Sequence, residues 1–267
     1  MPDDVYTHGH HDSVLQSHRW RTAANSAGYL LPHLHPGDSL LDVGCGPGTI
    51  TLDIAGRVAP APVLGIDASA AVIVDAADAA ARSGVRNVEF AVGDVYALEH
   101  ADASFDIVHA HQVLQHVADP VAALREMRRV CRPNGVVAAR DSIYRAFTWY
   151  PRDARLDRWL ELYCAVAQAN GGEPDAGSRL RAWALDAGFG AVRASASAWC
   201  YADDQERAWW GDLWADRITK TALAARAQEL GLATPDDLAD LAAGWRAWAA
   251  APNGWFAVLH GEILATP

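Results

Sequence analysis

Basic residues, cysteines and long apolar runs are all scarce in this sequence, and each shortage closes off a class of partner. Lys and Arg number 22 against 33 Asp and Glu, for a formal net charge of −11. With no basic stripe to displace counterions, a nucleic-acid backbone is disfavoured as partner, and so is an anionic membrane surface. Net charge does not forbid a local cationic pocket. The four cysteines, Cys45, Cys131, Cys164 and Cys200, show no paired spacing. That argues against both a zinc site and a disulfide framework and suits reduced thiols. No run reaches the roughly 18 apolar residues a membrane span requires. The N-terminal MPDDVYTHGHHD has neither a basic n-region nor an apolar h-region, so the expectation is a soluble cytoplasmic protein. Internal repeats and low-complexity tracts are missing too, apart from an alanine enrichment that favours helices.

What is present is a large apolar fraction. Of 267 residues, 51% are hydrophobic and 21% charged, enough for one medium α/β domain with elaborations. A polar arm over residues 1–12 precedes a helical pattern from Ser13 to about Leu34, which Pro36-Gly37 stops. Short apolar strands follow at 39–43, 63–67, 88–92, 107–110 and 136–141, alternating with helices at 49–59, 70–83 and 120–130. Nearly continuous apolar strands alternating with helices of ten or more residues predict a parallel sheet covered on both faces. Right-handed crossovers then make a Rossmann-like, doubly wound core whose ligand crevice lies beyond the carboxyl ends of the strands. After Tyr144 the rhythm changes to an aromatic-rich helical insert over 147–170. A helix near 178–187, a strand near 192–199, two helices over about 203–231 and 234–250, and a last strand at 255–264 complete the chain.

The strongest motif is LLDVGCGPGT at 40–49, a strand running directly into Gly44, Gly46 and Gly48 and then a helix. Glycines let the backbone turn at positive φ and approach a ligand closely, and the helix N-terminus offers free N–H groups. The glycines alone also describe an ordinary βα turn. Their spacing, G-x-G-x-G, differs from the dinucleotide fingerprint G-x-G-x-x-G, and Asp42 sits inside the preceding strand. A carboxylate there repels a pyrophosphate but suits an ammonium group. Asp67 ends the second strand, 23 positions after Gly44, close to the spacing of a carboxylate that accepts from both ribose hydroxyls. Asp94, in Gly93-Asp94-Val95, follows the third strand, where it can accept from an adenine amino group. A lone Asp at a strand end is ordinarily a cap or turn former, but three at successive strand ends share one rim.

LLDVGCGPGT, VLGIDAS, the Gly93-Asp94 pair and FDIVHAHQVLQHVADP together resemble the motif series of class I S-adenosylmethionine-dependent methyltransferases. The nearest likeness is to the ubiquinone/menaquinone-biosynthesis-like group of small-molecule enzymes, strong over 39–141 and weaker in GGEPDAGSRL. The resemblance implies a mostly parallel, seven-stranded, Rossmann-like doubly wound sheet with N-terminal helices and a helical lid insert. It implies S-adenosyl-L-methionine as cofactor, with S-adenosyl-L-homocysteine as product. Asp42, Gly44, Gly46 and Thr49 would hold the methionine end, Asp67 with Ala68 and Ser69 the ribose, and Gly93, Asp94 and Val95 the adenine. His111 and Gln112 would flank the sulfonium. Four parts are then expected: residues 1–38 as an arm and helix over the cofactor, 39–145 as the binding core, 146–175 as part of a lid, and 176–267 as the rest of the sheet with helical elaboration.

The histidines and aromatics carry the remaining expectations. His8, His10 and His11 lack a fourth ligand and suit a mobile arm better than a metal site, so no metal is expected. The N-terminal segment would fold over the cofactor, as in related methyltransferases, so that Tyr6, His11 and Arg19 line the site, Arg19 on the cofactor. His116 paired with Tyr6 is the candidate catalytic pair, with His111 beside it, since histidine titrates where an alcohol or phenol needs a base. The ordinary alternative for His116 is a histidine satisfied by nearby backbone. Asp141 and Tyr144 are expected to face the acceptor. Trp149, Tyr150, Trp159, Tyr163, Trp209, Trp210 and Trp214 either wall an apolar pocket or fill a core. The acceptor expected is a small molecule with an apolar or aromatic part, methylated on O, C or N, and the assembly allows a homodimer. An NAD(P)-dependent oxidoreductase, or a cofactor-binding protein without methyl transfer, stands as the alternative.

Overall fold

The computed structural model describes residues 20–267. The chain enters through a short helix, α1 (Ala23–Ser26), and a single 3-10 turn (Leu31–His33). The helical pattern read up to Leu34 therefore breaks. Thr22 caps α1 in a capping box with Asn25, and Ala27 leaves helical backbone immediately after.

The core then follows in the expected alternation: β1 (Leu40–Val43), α2 (Thr49–Val58), β2 (Val63–Asp67), α3 (Ala70–Ser83), β3 (Val88–Val92), β4 (Phe105–His111), α4 (Pro120–Val130) and β5 (Cys131–Ser142). Local signals fix the helix starts. The Ser69 side chain accepts from Val72 N at the head of α3, and Asp119 accepts from Ala122 N before a proline that opens α4, where a missing N–H costs nothing. The pairs β3–β2, β2–β1, β1–β4 and β4–β5 are all parallel. Apolar residues alternate between faces. Leu41, Val43, Val108 and Ala110 pack under α4, while Leu40, Val63 and Ile107 pack with Ile50 and Ile54 of α2.

Beyond β5 come β6 (Thr148–Tyr150), α5 (Ala154–Ala169), α6 (Ala176–Asp186), β7 (Ala191–Tyr201), α7 (Asp204–Lys220), α8 (Ala222–Glu229), α9 (Pro235–Ala250) and β8 (Trp255–Thr266). β8 is antiparallel to β5 on one edge and to β7 on the other. The short β6 extends the β5 side by pairing with the first residues of β8. The sheet thus has eight strands rather than seven, because three residues of the aromatic insert are extended. Two helices expected between 203 and 231 and at 234–250 are three, since Thr221 ends α7 and caps α8.

A third apolar cluster lies over the carboxyl-end crevice, built from α5, α7, α8, α9 and the N-terminal half of β8. It contains seven of the eleven tryptophans. Trp159 is its hub, fully buried and edge-on to Trp214 at 4.5 Å and to Trp245 at 4.7 Å between ring centroids. Edge-to-face pairs add to the burial of these large rings. Trp159→Ala is expected to lower unfolding stability by about 3–5 kcal/mol. Urea unfolding checks this, and a loss below about 1 kcal/mol would mean that the layer does not depend on this ring.

Candidate active site

A cavity of about 530 Å³ opens at the carboxyl ends of the strands, beside the β1–β4 boundary where the crossovers diverge. This is where a doubly wound sheet offers its crevice. Every described residue expected at the cofactor lines it: Asp42, Gly44, Gly46, Thr49, Asp67, Ala68, Ser69, Gly93, Asp94, Val95, His111 and Gln112. His116 and Tyr144 line it as well. Tyr6, His8, His10, His11 and Arg19 lie outside the described residues.

At the β1–β3 end the geometry is set by carboxylates that run from buried Asp42 through half-buried Asp67 to exposed Asp94. Asp42 is 2% exposed. Its Oδ2 accepts from Thr51 Oγ1 at 2.5 Å and its Oδ1 from His109 Nδ1 at 2.8 Å. His109 stands opposite Asp42 in the parallel register of β4 on β1. A carboxylate only accepts, so Nδ1 carries the proton of this bond. Gly44 turns the chain at φ +65°, and a Cβ there would collide with Val113 Cγ2. Gly46 N then donates to Asp67 Oδ2 at 3.1 Å, while Ser69 N donates to Asp67 Oδ1 at 2.9 Å. The glycine loop and the β2–α3 turn therefore hold one carboxylate between them, and each oxygen keeps an acceptor site for a ligand hydroxyl. Asp94, on the exposed rim, accepts from Tyr96 N at 2.9 Å. Three carboxylates around a glycine loop repel a phosphate and accept readily from ammonium, hydroxyl and amino groups, which are the donors of S-adenosylmethionine.

Toward β5 the lining becomes a relay of polar groups. Gln112 adopts φ +55° and accepts from Arg21 Nη2 through Oε1 at 2.7 Å. Its Nε2 donates to Ser142 Oγ at 3.0 Å. Behind it, Arg140 Nη2 donates to His260 Nδ1 at 3.0 Å and Arg140 Nε to Glu262 Oε1 at 3.2 Å. The other ring nitrogen of His260, Nε2, lies 2.9 Å from Gln112 Nε2.

Neither candidate base has the basicity expected of it. Burial, then the Arg21 charge, pushes His116 down to about 3, and its Nε2 lies 2.9 Å from Gln115 Nε2. Burial first, then Arg21 and Arg140, holds His111 well below the ordinary histidine range. Both rings are neutral at pH 7. Asp141 does not line the cavity. It is fully buried, accepts from Gln115 N at 3.1 Å, and is pushed up to about 8 by that burial.

The aromatic expectation divides. Trp209, Trp210 and Trp214 line the cavity, but Trp149, Trp159 and Tyr163 are buried in the layer behind them and Tyr150 is exposed. Trp20, Arg21, Trp199, Tyr201 and Arg217 also line it, and sequence reasoning missed them. Trp199 and Tyr201 alternate at the carboxyl end of β7, and Arg217 follows Trp214 by one helical turn; both spacings were available as signals. Trp199 Nε1 donates to Asn25 O at 2.6 Å and its ring meets Trp20 at 5.4 Å, which ties the entry segment to β7.

Asp141 has a consequence for stability. Folded, it holds a proton up to about pH 8, whereas an unfolded aspartate loses it near pH 4. Between these values the folded state binds more protons, so this group's contribution is complete below pH 4 and is lost as pH rises through 8. Asp141→Asn keeps the acceptor for Gln115 N without the titration. It should therefore gain on the parent by up to about 1.4 kcal/mol per pH unit across that window. A difference in unfolding free energy that does not change with pH would show that Asp141 ionises normally.

Residues 34–188 match the family described as a methyltransferase domain. An uncharacterized methyltransferase of Schizosaccharomyces pombe is 34% identical over 274 residues, 97% of this chain and 95% of that one. Among solved structures, the YcgJ protein of Bacillus subtilis aligns with a TM-score of 0.59 at 21% identity, over 89% of this chain and 96% of its own. The [4+2]-cyclase SpnF aligns with a TM-score of 0.51 at 22% identity, over 94% and 80%, so the fold by itself hosts more than one reaction. With the family match and the full-length relative added to the acid-rimmed glycine loop, the chain belongs to the methyltransferase-domain family of class I S-adenosylmethionine-dependent methyltransferases.

Proposed function

We propose that this protein transfers the methyl group of S-adenosylmethionine to a small-molecule acceptor lying between the aromatic layer and the carboxyl ends of β4 and β5. The observation that carries the proposal is one continuous cavity whose lining changes from strand-end carboxylates to aromatic rings. In this reading Asp42, Gly44, Gly46 and Thr49 take the methionine end, with Asp42 bound through the oxygen sites that Thr51 and His109 leave open. Asp67, Ala68 and Ser69 take the ribose, and Gly93, Asp94 and Val95 the adenine. His111 and Gln112 lie beside the sulfur.

When bound, the cofactor would supply an activated methyl group on a cationic sulfur for the acceptor's electron pair. The protein's part is to align the reactants and exclude water. Trp209, Trp210 and Trp214 close the cavity from above, while Trp20 and Arg21 bring the entry segment across it. His111, buried, and His116, half-buried on the cavity wall, are neutral and orient their neighbours rather than receive a proton.

Incubation with methyl-labelled cofactor and a panel of small acceptors should move label into a small product, and no labelled product from any acceptor would count against transfer. Asp67→Ala should weaken S-adenosylhomocysteine binding about 10- to 100-fold by calorimetry, as expected for lost charged hydrogen bonds. Unchanged affinity would remove the ribose assignment, and thermal stabilisation by NADH equal to that by S-adenosylhomocysteine would favour an oxidoreductase.

A further inference from the structure

The sheet leaves one strand of the binding core open. β3 pairs with β2, and among the described residues no strand lies on its other side. The parallel ladder fixes which way its backbone groups point. Val63 N donates to Asn87 O, and Gly93 N donates to Asp67 O. Residues of odd number therefore spend their N–H and C=O groups on β2, while Val88, Phe90 and Val92 turn theirs to the open edge. Such a row is a template for another strand, and natural edges are commonly blunted by lysine, proline or a bulge. β3 has none of these, and its one charged residue is Glu89. The surroundings are apolar as well. Val74 of α3 is 61% exposed and Val92 is 58% exposed, more than any other large hydrophobic side chain among the described residues.

A chain of formal charge −11 repels its own copy, so an edge serves self-association where opposite charges meet across it. A two-fold antiparallel pairing centred on Phe90 does this. Phe90 then faces its own copy, and Val88 faces Val92 of the partner subunit. All three residues have their backbone groups turned outward, and each opposed pair exchanges two hydrogen bonds. Glu89 falls opposite a small apolar residue, the partner's Ala91. Arg86, two residues before the strand, comes opposite the partner's Asp94, two residues after it, and the symmetry makes that contact twice. Arg86 and Asp94 are both exposed, and neither forms an ion pair among the described residues. Moving the centre to Glu89 would set that carboxylate against its own copy, which is destabilising. Moving it to Ala91 would part Arg86 from Asp94.

We infer that two copies of this chain join through β3, edge to edge, into one continuous sheet. The backbone groups of the open edge are then paired, Val92 is withdrawn from water against Val88 of the partner subunit, and opposite charges close both ends of the contact. Asp94 also lines the cavity. The interface therefore reaches the rim of the site, and the second copy brings a guanidinium to it.

The test is the oligomeric state of the full chain. Light scattering from micromolar concentration upward should give twice the mass of one chain. Val92→Pro removes an N–H that faces the open edge and leaves the bonds to β2, a place where a strand tolerates proline. It should keep the parent's circular dichroism and be monomeric. Arg86→Asp and Asp94→Arg each set like charges opposite one another, and each should weaken association about ten-fold or more. Mixed together, the two variants restore opposite charges at both contacts, so the mixture should recover the parent's dimer. A parent that stays monomeric at every concentration overturns the inference. A folded Val92→Pro that still dimerises overturns it too, because another face then holds the copies together. So does a dimer that neither charge variant weakens, or a pair of weakened variants whose mixture does not recover. Should Val92→Pro fail to fold, the charge variants and their mixture decide alone.

Discussion

The site depends on a carboxylate that the fold has taken out of water. Asp42 is buried in β1, and a buried charge is tolerable only where hydrogen bonds replace its hydration. Those bonds come from two other elements, the Thr51 hydroxyl on α2 and the His109 ring on β4. The three elements meet at the boundary where β1 and β4 lie side by side and their crossovers leave in opposite directions. The bond network thus fixes the origin of the glycine loop at the point where the sheet opens. From there Gly46 N reaches Asp67, and the second carboxylate is positioned by the backbone that the first one anchors.

The second half of the molecule answers a different physical problem. The crevice of a doubly wound sheet is open to water, and methyl transfer from a charged sulfur proceeds in a dry site. Four helices and the start of β8 supply a layer of indole rings packed edge to face, and the inner members of that layer become the cavity wall. The outer members, Trp159, Trp245 and Trp248, never meet the cavity. They give the wall a rigid backing, so that Trp210 and Trp214 are held by packing rather than by contact with a ligand.

Beneath both halves runs a buried polar seam, Arg140 with His260, Glu262 and Ser197, which joins β5, β8 and β7. It holds Arg140 charged inside the sheet and keeps His260 neutral. With His111 and His116 also neutral, the β4 end of the cavity contains imidazoles without positive charge. A cationic donor tolerates that environment, whereas protonated histidines would repel it.

The binding core was legible in the amino-acid order because its signals are local. Apolar runs of four or five residues, the glycine spacing at 44–48 and the acids Asp42, Asp67 and Asp94 each act within a strand and the turn after it. The resemblance to methyltransferases rests on those same short segments. Residues that meet only through the register of distant strands or the packing of helices were not legible. His109 finds Asp42 across the β1–β4 pairing, 67 positions away, and Arg21 finds Gln112 across 91. The division of the tryptophans into wall and backing was equally hidden, since the same helical spacing serves either role until the partner surface is known. The basicity of His116 was not legible for a related reason: its residue type gives a value near neutrality, and only the folded chain brings the loss of hydration and the Arg21 charge that lower it. Sequence by itself determined the donor half of the site, whose chemistry is carried by backbone turns. Tertiary structure decided the aromatic half of the cavity, because its walls come from segments that only folding brings together.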